Sequence, residues 1–486
     1  MNTTYNIDVA VIGAGTAGLA AYRQSIAQGA TTLIIEGGPY GTTCARVGCM
    51  PSKLLIAAAD AHHALGRLHA FGIDLNGTPS IDGERVMARV RRERDRFVGF
   101  VVDGVNNIPA EHKIRGYATF TDANTLTVTL ETGGTVIIHA KSIVIASGST
   151  PIIPDVLKPA ADRVIINDNV FEWTTLPKSV LVVGAGVIGL ELGQALSHLG
   201  VRVTLIGRNN GVGHLSDPAV RESALNVMQH SMDFQSNAQL ESVKRTENGV
   251  LVNYIDDAGQ AQSTEYEYVL STAGRRINLE NLGFDTLGYA TGKNGAPAFD
   301  RHTLQIENSH LFIAGDVNAD VPLLHEAADE GAIAGANAAR VALGKPIESG
   351  TRRSPLAVIF SEPNIATTGQ MYRQLDLSKT AVGSVDYGDQ GRSRVMQINQ
   401  GCLRIYGDIA TDRFLGAEMV GPRLEHIAHL LAWAHQMEMT VTQMLSMPFY
   451  HPVIEEGLRT ALRALAANIA QKSAIMPTES HVMVGD

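Results

Sequence analysis

Short apolar runs, each closed by glycine or a polar turn, recur along the chain and alternate with stretches of helical periodicity. The first, Tyr5-Asn-Ile-Asp-Val-Ala-Val-Ile12, reads as a strand entering Gly13-Ala-Gly15-Thr-Ala-Gly18 and then a helix-like Leu19-Ala-Ala-Tyr-Arg. A second strand, Thr32-Leu-Ile-Ile, ends in Glu36. Strand, Gly-x-Gly-x-x-Gly, helix, strand and acid in that order open a dinucleotide-binding βαβ unit. The glycines permit a tight turn and close approach to a pyrophosphate on the helix N-terminus, and the acid accepts hydrogen bonds from ribose hydroxyls. The pattern returns at Lys178-Ser-Val-Leu-Val-Val-Gly184-Ala-Gly186-Val-Ile-Gly189, followed by Leu-Glu191-Leu-Gly-Gln-Ala-Leu and the strand Val201-Arg-Val-Thr-Leu-Ile. This copy ends in Gly207 and Arg208 instead of an acid. Arg208 either faces a 2′-phosphate or is a solvated loop arginine, so NAD and NADP both stay open.

Further apolar strands close in polar turns at Ser142-Ile-Val-Ile-Ala-Ser-Gly148 and Leu311-Phe-Ile-Ala-Gly315-Asp316, and both resemble strand ends that converge on a bound cofactor. For Asp316, capping of the turn is the alternative. Toward the C-terminus, Ala357-Val-Ile-Phe and Gly401-Cys402-Leu-Arg-Ile-Tyr read as strands. Ile427-Ala-His-Leu-Leu-Ala-Trp-Ala reads as an apolar helix, suited equally to a dimer contact and to core packing. The run from Arg89 to Arg96 interleaves arginines with acids and reads as one solvated helix face.

With 486 residues, 45% hydrophobic, and 48 glycines, the composition fits a soluble α/β protein with a large core and many tight turns. A formal charge of −10 argues against a nucleic-acid surface. No stretch approaches about 20 uninterrupted apolar residues. The N-terminus passes into a strand without a signal-peptide pattern, so a cytoplasmic protein without a membrane span is expected. No metal centre is expected.

Three cysteines in a reducing compartment are not a disulfide framework. Cys402 stands alone in a strand pattern and is expected to pack in the core. Cys44 and Cys49 are separated by four residues, close enough to form a disulfide, pass it on by exchange and be reopened by two electrons. A structural staple would add little, because a short loop removes little unfolded-state entropy and a long chain buries enough surface without it. Five residues of regular helix rise about 7.5 Å, whereas a disulfide tolerates Cα atoms up to about 7 Å apart. A looped or tightened turn is therefore predicted between them, with Gly41 and Gly48 giving backbone freedom and a helix following from Pro51. A helix start beside Cys49 favours its thiolate. Thiol-disulfide exchange also needs a base, and His451 is spaced from Glu456 so that the carboxylate can orient the imidazole.

The segment Cys44-x-x-x-x-Cys49-x-Pro-Ser-Lys53, the two glycine turns, Ala-Gly274-Arg275-Arg-Ile-Asn278, Ala-Gly315-Asp316 and His451-Pro-Val-Ile-Glu-Glu456 together resemble the pyridine nucleotide-disulfide oxidoreductases, the class I flavoprotein disulfide reductases, over nearly the whole chain. The resemblance implies an α/β fold of two Rossmann-like domains plus a C-terminal α+β dimerisation domain. The divisions expected are an FAD domain at 1–150, an NAD(P) domain at 151–275, a central FAD-contacting domain at 276–347 and an interface domain at 348–486. It implies FAD held by Gly13, Gly15, Gly18, Glu36, Lys53, Gly148 and Asp316. It implies NAD, with NADP as the alternative, held by Gly184, Gly186, Gly189, Arg208 and Gly274. Cys44 then looks like the interchange thiol and Cys49 like the thiol facing the flavin. Lys53 matches the lysine beside the flavin ring, with Glu191 its ion-pair partner. His451, with Glu456, reaches the disulfide of the partner subunit, so the resemblance implies a homodimer with shared active sites.

No cysteine follows Cys402, unlike the mercuric and large thioredoxin reductases of this layout, which add a C-terminal redox pair. Pro-Ser-Lys53, where glutathione reductases usually carry Pro-Lys-Lys, and the run His62 to Asp74 look more like a dihydrolipoyl dehydrogenase. The expected reaction is oxidation of dihydrolipoamide through Cys44 and Cys49 and FAD to reduce NAD+, and the family likeness implies association with a 2-oxo acid dehydrogenase complex. Arg46 stands where the family usually has asparagine, the second nucleotide fold lacks its acid, and a stretch runs past the C-terminal helix. These departures fit an NADPH-dependent, glutathione-reductase-like enzyme as the alternative. A non-catalytic flavin-binding redox sensor is the reading from another class, and intact Cys44, Cys49, His451 and Glu456 argue against it.

Overall fold

A computed structural model describes residues 3–77 and 79–475. The chain begins with β1 (Thr3–Ile12), α1 (Thr16–Ala27), β2 (Thr32–Glu36), α2 (Thr43–Val47), α3 (Cys49–His63), α4 (Gly83–Asn106), β3 (Lys113–Asp122), β4 (Thr125–Leu130) and β5 (Thr135–Ile145). β1 lies between β2 and β5 in parallel register, with Val9 beside Thr32 on one side and Ser142 on the other. Val9, Ala10, Val11 and Ile12 are all buried, as a parallel strand covered on both faces requires. The antiparallel β4 joins the far ends of β3 and β5.

The chain then passes through β6 (Ser149–Pro151) into a second parallel sheet. It comprises β7 (Val164–Ile165), α5 (Asn167–Val170), β8 (Ser179–Val183), α6 (Val187–His198), β9 (Arg202–Ile206), α7 (Pro218–Ser231), β10 (Asp233–Gln235), a three-stranded antiparallel insert of β11 (Gln239–Arg245), β12 (Val250–Ile255) and β13 (Ala261–Tyr266), and β14 (Tyr268–Ser271). Strand order is β10-β9-β8-β14-β7. β15 (Arg275–Ile277) pairs back on β6. β16 (Leu311–Ile313) then rejoins the first sheet beside β5, and α8 (Leu324–Ala342) covers it. α8 approaches α1 so closely that a Cβ on Gly331 or Gly335 would lie 2.1 or 2.2 Å from the carbonyl of Ala17 or Ala21.

The last layer is an antiparallel sheet, β17 (Leu356–Ile359), β18 (Asn364–Gly369), β19 (Thr380–Asp386), β20 (Cys402–Asp408) and β21 (Phe414–Gly421), in the order β17-β18-β21-β20-β19. α9 (Gly391–Val395) lies between β19 and β20 in the chain, and α10 (Leu424–Gln436), α11 (Val441–Leu445) and α12 (Glu456–Ile475) follow β21. The fold class read from the sequence is the one observed.

Three expectations change in detail. Arg94 is not on a solvated face: with Met87 and Val90 it falls on the inward stripe of α4, where it pairs with Glu172 and with Asp95 at 2.7 Å. α10 serves the core with one face and solvent with the other. Ile427, Ala428 and Leu431 are buried, whereas Leu430, Trp433 and Met437 are exposed by 44%, 69% and 74%. The C-terminal helix reaches Ile475, taking in much of the stretch expected beyond it, and residues 476–486 lie outside the described part. Cys402 meets its expectation at the start of β20: it is part-buried and packs against a buried apolar cluster. Among the described residues no helix is long and apolar enough to cross a membrane.

Candidate active site

The two glycine turns are built alike, and their glycines have different reasons. At Gly13 (φ +102°) a Cβ would meet the carbonyl oxygen of Ala146 at 2.4 Å, and at Gly184 (φ +115°) that of Thr272 at 2.5 Å. At Gly18 and Gly189 a Cβ would lie 1.8 and 1.9 Å from the carbonyl oxygens of Gly13 and Gly184. These four glycines are required by the protein's own packing. Gly15 and Gly186 are not, for a Cβ there meets nothing within 4 Å. Each precedes a helix whose first turn has no acidic residue and no side-chain cap, so the amide donors are left for an external anion. The residues fit a dinucleotide at both turns.

Glu36, at the end of β2, accepts from the N–H of Ala14 (2.7 Å) and of Gly38 (2.6 Å), which ties the carboxylate to the glycine turn. The equivalent end of β9 has Gly207 and an exposed Arg208. The turns at Gly148 and Asp316 lie together: Asn278 N–H donates to the Gly148 carbonyl (3.0 Å) and Ser149 Oγ to Asp316 Oδ2 (2.7 Å). Arg275, next to Gly274, donates through Nε to Ser149 Oγ at 2.7 Å and so joins the same cluster. Glu330 on the covering helix holds the turn before Asp316, accepting from Gly315 N–H (2.8 Å) and Asn318 Nδ2 (2.7 Å).

Between the cysteines the predicted distortion is a break. α2 ends at Val47, Gly48 takes φ −125° and ψ −115°, and α3 starts at Cys49. Both cysteines are free thiols, Cys49 being the more exposed. They are unequal. The Cys49 thiol is lowered to about 7, first by the hydrogen bond from Cys44, with desolvation opposing and the charge of Lys53 assisting. The same hydrogen bond, followed by burial, pushes the Cys44 thiol well up. A helix N-terminus under the Cys49 sulfur acts in the direction expected.

Lys53 lies one turn along α3 and meets Glu191 of α6 at 2.7 Å, so the anticipated pair forms between the two nucleotide-binding units. Glu191 is buried, and its other oxygen accepts from the N–H of Phe360 at 3.0 Å, whose ring lies 4.8 Å from Lys53 Nζ. One turn on, Gln194 exchanges two hydrogen bonds with the backbone of Glu362 (2.8 and 2.9 Å), fixing the C-terminal layer against α6.

His451 is 80% exposed, and its Nδ1 bonds Glu456 Oε2 at 2.9 Å. Desolvation would raise the Glu456 carboxyl, but the Val453 N–H and His451 outweigh it and hold the group below its ordinary value. Arg459 donates to its second oxygen at 2.8 Å. Among the described residues no hydrogen bond joins His451 to either cysteine within the chain. The two halves of the expected machinery are each built, and they are not brought together in one subunit.

Several contributors escaped the sequence reading. Phe360 gives its backbone N–H to the Glu191 carboxylate, Gln194 and Glu330 hold backbone groups of Glu362 and Gly315, and Asn167 belongs with them, since its Nδ2 donates to the Val47 carbonyl at 2.8 Å across 120 residues.

Two nucleotide turns, a dithiol between them and a C-terminal layer carrying a histidine-carboxylate pair define a flavin- and pyridine-nucleotide-linked redox protein. Residues 7–331 match the family described as pyridine nucleotide-disulphide oxidoreductase, and residues 356–462 its dimerisation domain. The chain belongs to this family. It is an FAD-dependent oxidoreductase, and the dimerisation domain supports a homodimer. It is 28% identical over 462 residues to dihydrolipoyl dehydrogenase 3 of Pseudomonas aeruginosa, covering 93% of this chain and 97% of the relative. It is also 28% identical over 482 residues to a mercuric reductase of Streptomyces lividans, covering 96% and 98%. The HOCl-induced flavoprotein disulfide reductase RclA of Escherichia coli has the same fold, with a TM-score of 0.75, 21% identity and coverage of 94% and 99%.

Proposed function

We propose that the protein is a dihydrolipoyl dehydrogenase-like enzyme, which oxidises a small dithiol of the dihydrolipoamide kind through Cys44 and Cys49 and reduces a pyridine nucleotide. The observation that carries this reading is the inequality of the two thiols: Cys49 titrates at about 7 beside Lys53, while Cys44 keeps its proton. His451, oriented by Glu456, takes a proton from the substrate dithiol bound at the partner subunit. The resulting thiolate attacks the Cys44 sulfur of the oxidised pair, the Cys44–Cys49 bond breaks, and Cys49 leaves as the thiolate its environment favours. The second substrate sulfur displaces Cys44, closing the substrate disulfide and leaving the pair reduced by two electrons. Gly13, Gly15, Gly18, Glu36, Gly148 and Asp316 would hold FAD, and Gly184, Gly186, Gly189 and Gly274 would hold the nicotinamide nucleotide; the flavin would supply the two-electron chemistry between dithiol and nicotinamide.

The exposure of His451 supports its service to a second subunit. So does the exposed apolar stripe of Leu430 and Trp433 on α10 with Met437 just past its end, at helical spacing in the layer that matches the dimerisation domain. Arg208, exposed at the end of β9 with no carboxylate beside it in the sequence, favours a second reading in which NADPH drives reduction of a small disulfide. Steady-state assays with lipoamide and glutathione, each against NAD(H) and NADP(H), separate the two. Cys49→Ser is expected to abolish turnover with the preferred pair, and wild-type activity in that variant would overturn the proposal.

A further inference from the structure

We propose that Asn167 is a positioning residue for the redox pair: its side-chain amide clamps the Val47 carbonyl and thereby fixes the joint at Gly48 on which the spacing of the two sulfurs depends. The inference rests on the reading of Cys44 and Cys49 as a redox couple.

The need for the clamp is written in the covalent structure. In an unbroken helix the Val47 carbonyl would accept from the N–H four residues on, which belongs to Pro51, and proline has none. The neighbouring Gly48 carbonyl does find its partner, the N–H of Ser52 at 3.2 Å. Val47 is therefore left with an orphan acceptor at the joint between α2 and α3. The residue is 7% exposed, so bulk water is a poor substitute. Asn167 supplies the missing donor at 2.8 Å and is itself 5% exposed. Its own amide is oriented by a second acceptor, Asp168 Oδ1 at 3.0 Å.

The clamp also carries charge to the loop. Burial raises the Asp168 carboxyl, and the charges of Arg275 and Arg46 oppose that rise. Arg46 lies between the two cysteines, its stem so close over Gly41 that a Cβ there would be 3.0 Å from it. α5, which follows β7 of the second parallel sheet, thus grips the redox loop at one carbonyl.

Releasing the carbonyl frees the backbone about Gly48. The thiols then lose some of their pre-set approach, and closing the disulfide costs more conformational entropy. The half-reaction is unchanged: the Cys44–Cys49 bond takes two electrons and two protons to give two thiols, dithiothreitol giving up the same and closing to its cyclic disulfide. Freeing about one residue shifts that equilibrium about tenfold toward the dithiol, equivalent to about 30 mV for a two-electron couple.

The test uses purified flavin-loaded enzyme equilibrated in dithiothreitol redox buffers, acid-quenched, alkylated with a maleimide and counted by mass. Absence of any two-thiol transition in the wild type would reject the redox reading itself. Given that transition, Asn167→Leu, which matches the volume without a donor, and Asn167→Ser, which is too short to reach, are both expected to make the disulfide about tenfold easier to reduce. The Asn167→Ser variant keeps a small polar group at the buried site and so guards against loss of folding by the leucine. Midpoints within about threefold of wild type in both variants would overturn the clamp while leaving the redox reading intact.

Discussion

Replacing Lys53 with methionine is expected to move the Cys49 thiol to higher pH, and replacing Glu191 with glutamine to move it lower. Lys53 follows Cys49 by four residues on α3, which puts their Cβ atoms about 6 Å apart, and that spacing is taken for the separation of charge and sulfur. A unit charge at that distance is worth about 0.7 kcal/mol at ε ~80 and about 2.8 kcal/mol at ε ~20. Lys53 is 33% exposed, which places the site between those limits. At about 1.4 kcal/mol per pH unit, removing the cation raises the thiol by about one unit. Glu191 raises the same thiol from beyond the lysine, so its neutralisation gives a smaller shift of the opposite sign. The assay is the rate of iodoacetamide alkylation between about pH 5 and pH 9 in a Cys44→Ser background, where the serine hydroxyl still donates to the Cys49 sulfur. Cys402 does not interfere, because burial pushes its thiol up to about 11. Midpoints coinciding within about 0.3 unit for all three proteins refute the electrostatic account, as does a downward move in Lys53→Met.

Gly15→Ala is expected to leave thermal unfolding of the apoprotein near wild type while abolishing flavin retention, because its Cβ meets no protein atom. Gly186→Ala should spare the flavin and lose the nicotinamide, which equilibrium dialysis against each ligand measures. Gly18→Ala, whose Cβ would lie 1.8 Å from the Gly13 carbonyl oxygen, should instead lower the melting temperature itself. His198 stacks on His63 at 3.9 Å, and burial first, then His63, His62 and Arg67, lowers its pKa to about 4. The neutral form is the folded form, so this stabilisation is present above about pH 6.5 and is lost as pH falls toward 4, about 3 kcal/mol in all. Asp60 and Glu362 nearby are raised by burial and act in the opposite sense. The comparison that isolates the imidazole is therefore melting temperature against pH for wild type and His198→Gln. Parallel curves through that window would refute it.

What could be read from the chain alone depended on how locally each feature is specified. Gly13, Gly15 and Gly18 stand within one turn, so spacing announces them, whereas the reason each is glycine appears only once Ala146 is seen against Gly13. Lys53 and Glu191 were found through the family likeness and not through periodicity, since no local signal joins residues on two helices 138 apart in sequence. Arg94 shows the converse error. Its charge suggested solvent, but its place after Met87 and Val90 on the inward stripe of α4 carried the structural information, and Glu172 makes the burial tolerable. The redox loop contains both kinds of signal at once. That Val47 would lack a donor follows from Pro51 alone, without coordinates, because backbone acceptors must be satisfied and proline offers no N–H. That the donor would be Asn167 does not follow, since Asn167 lies 120 residues from Val47 in the sequence and no local signal joins them. The motif with its proline thus specifies an unmet need in the first nucleotide-binding unit, and the second meets it. On this proposal the spacing of Cys44 and Cys49 depends on a contact between the two units, so substitutions at Asn167 that release the Val47 carbonyl should favour the reduced pair over the disulfide.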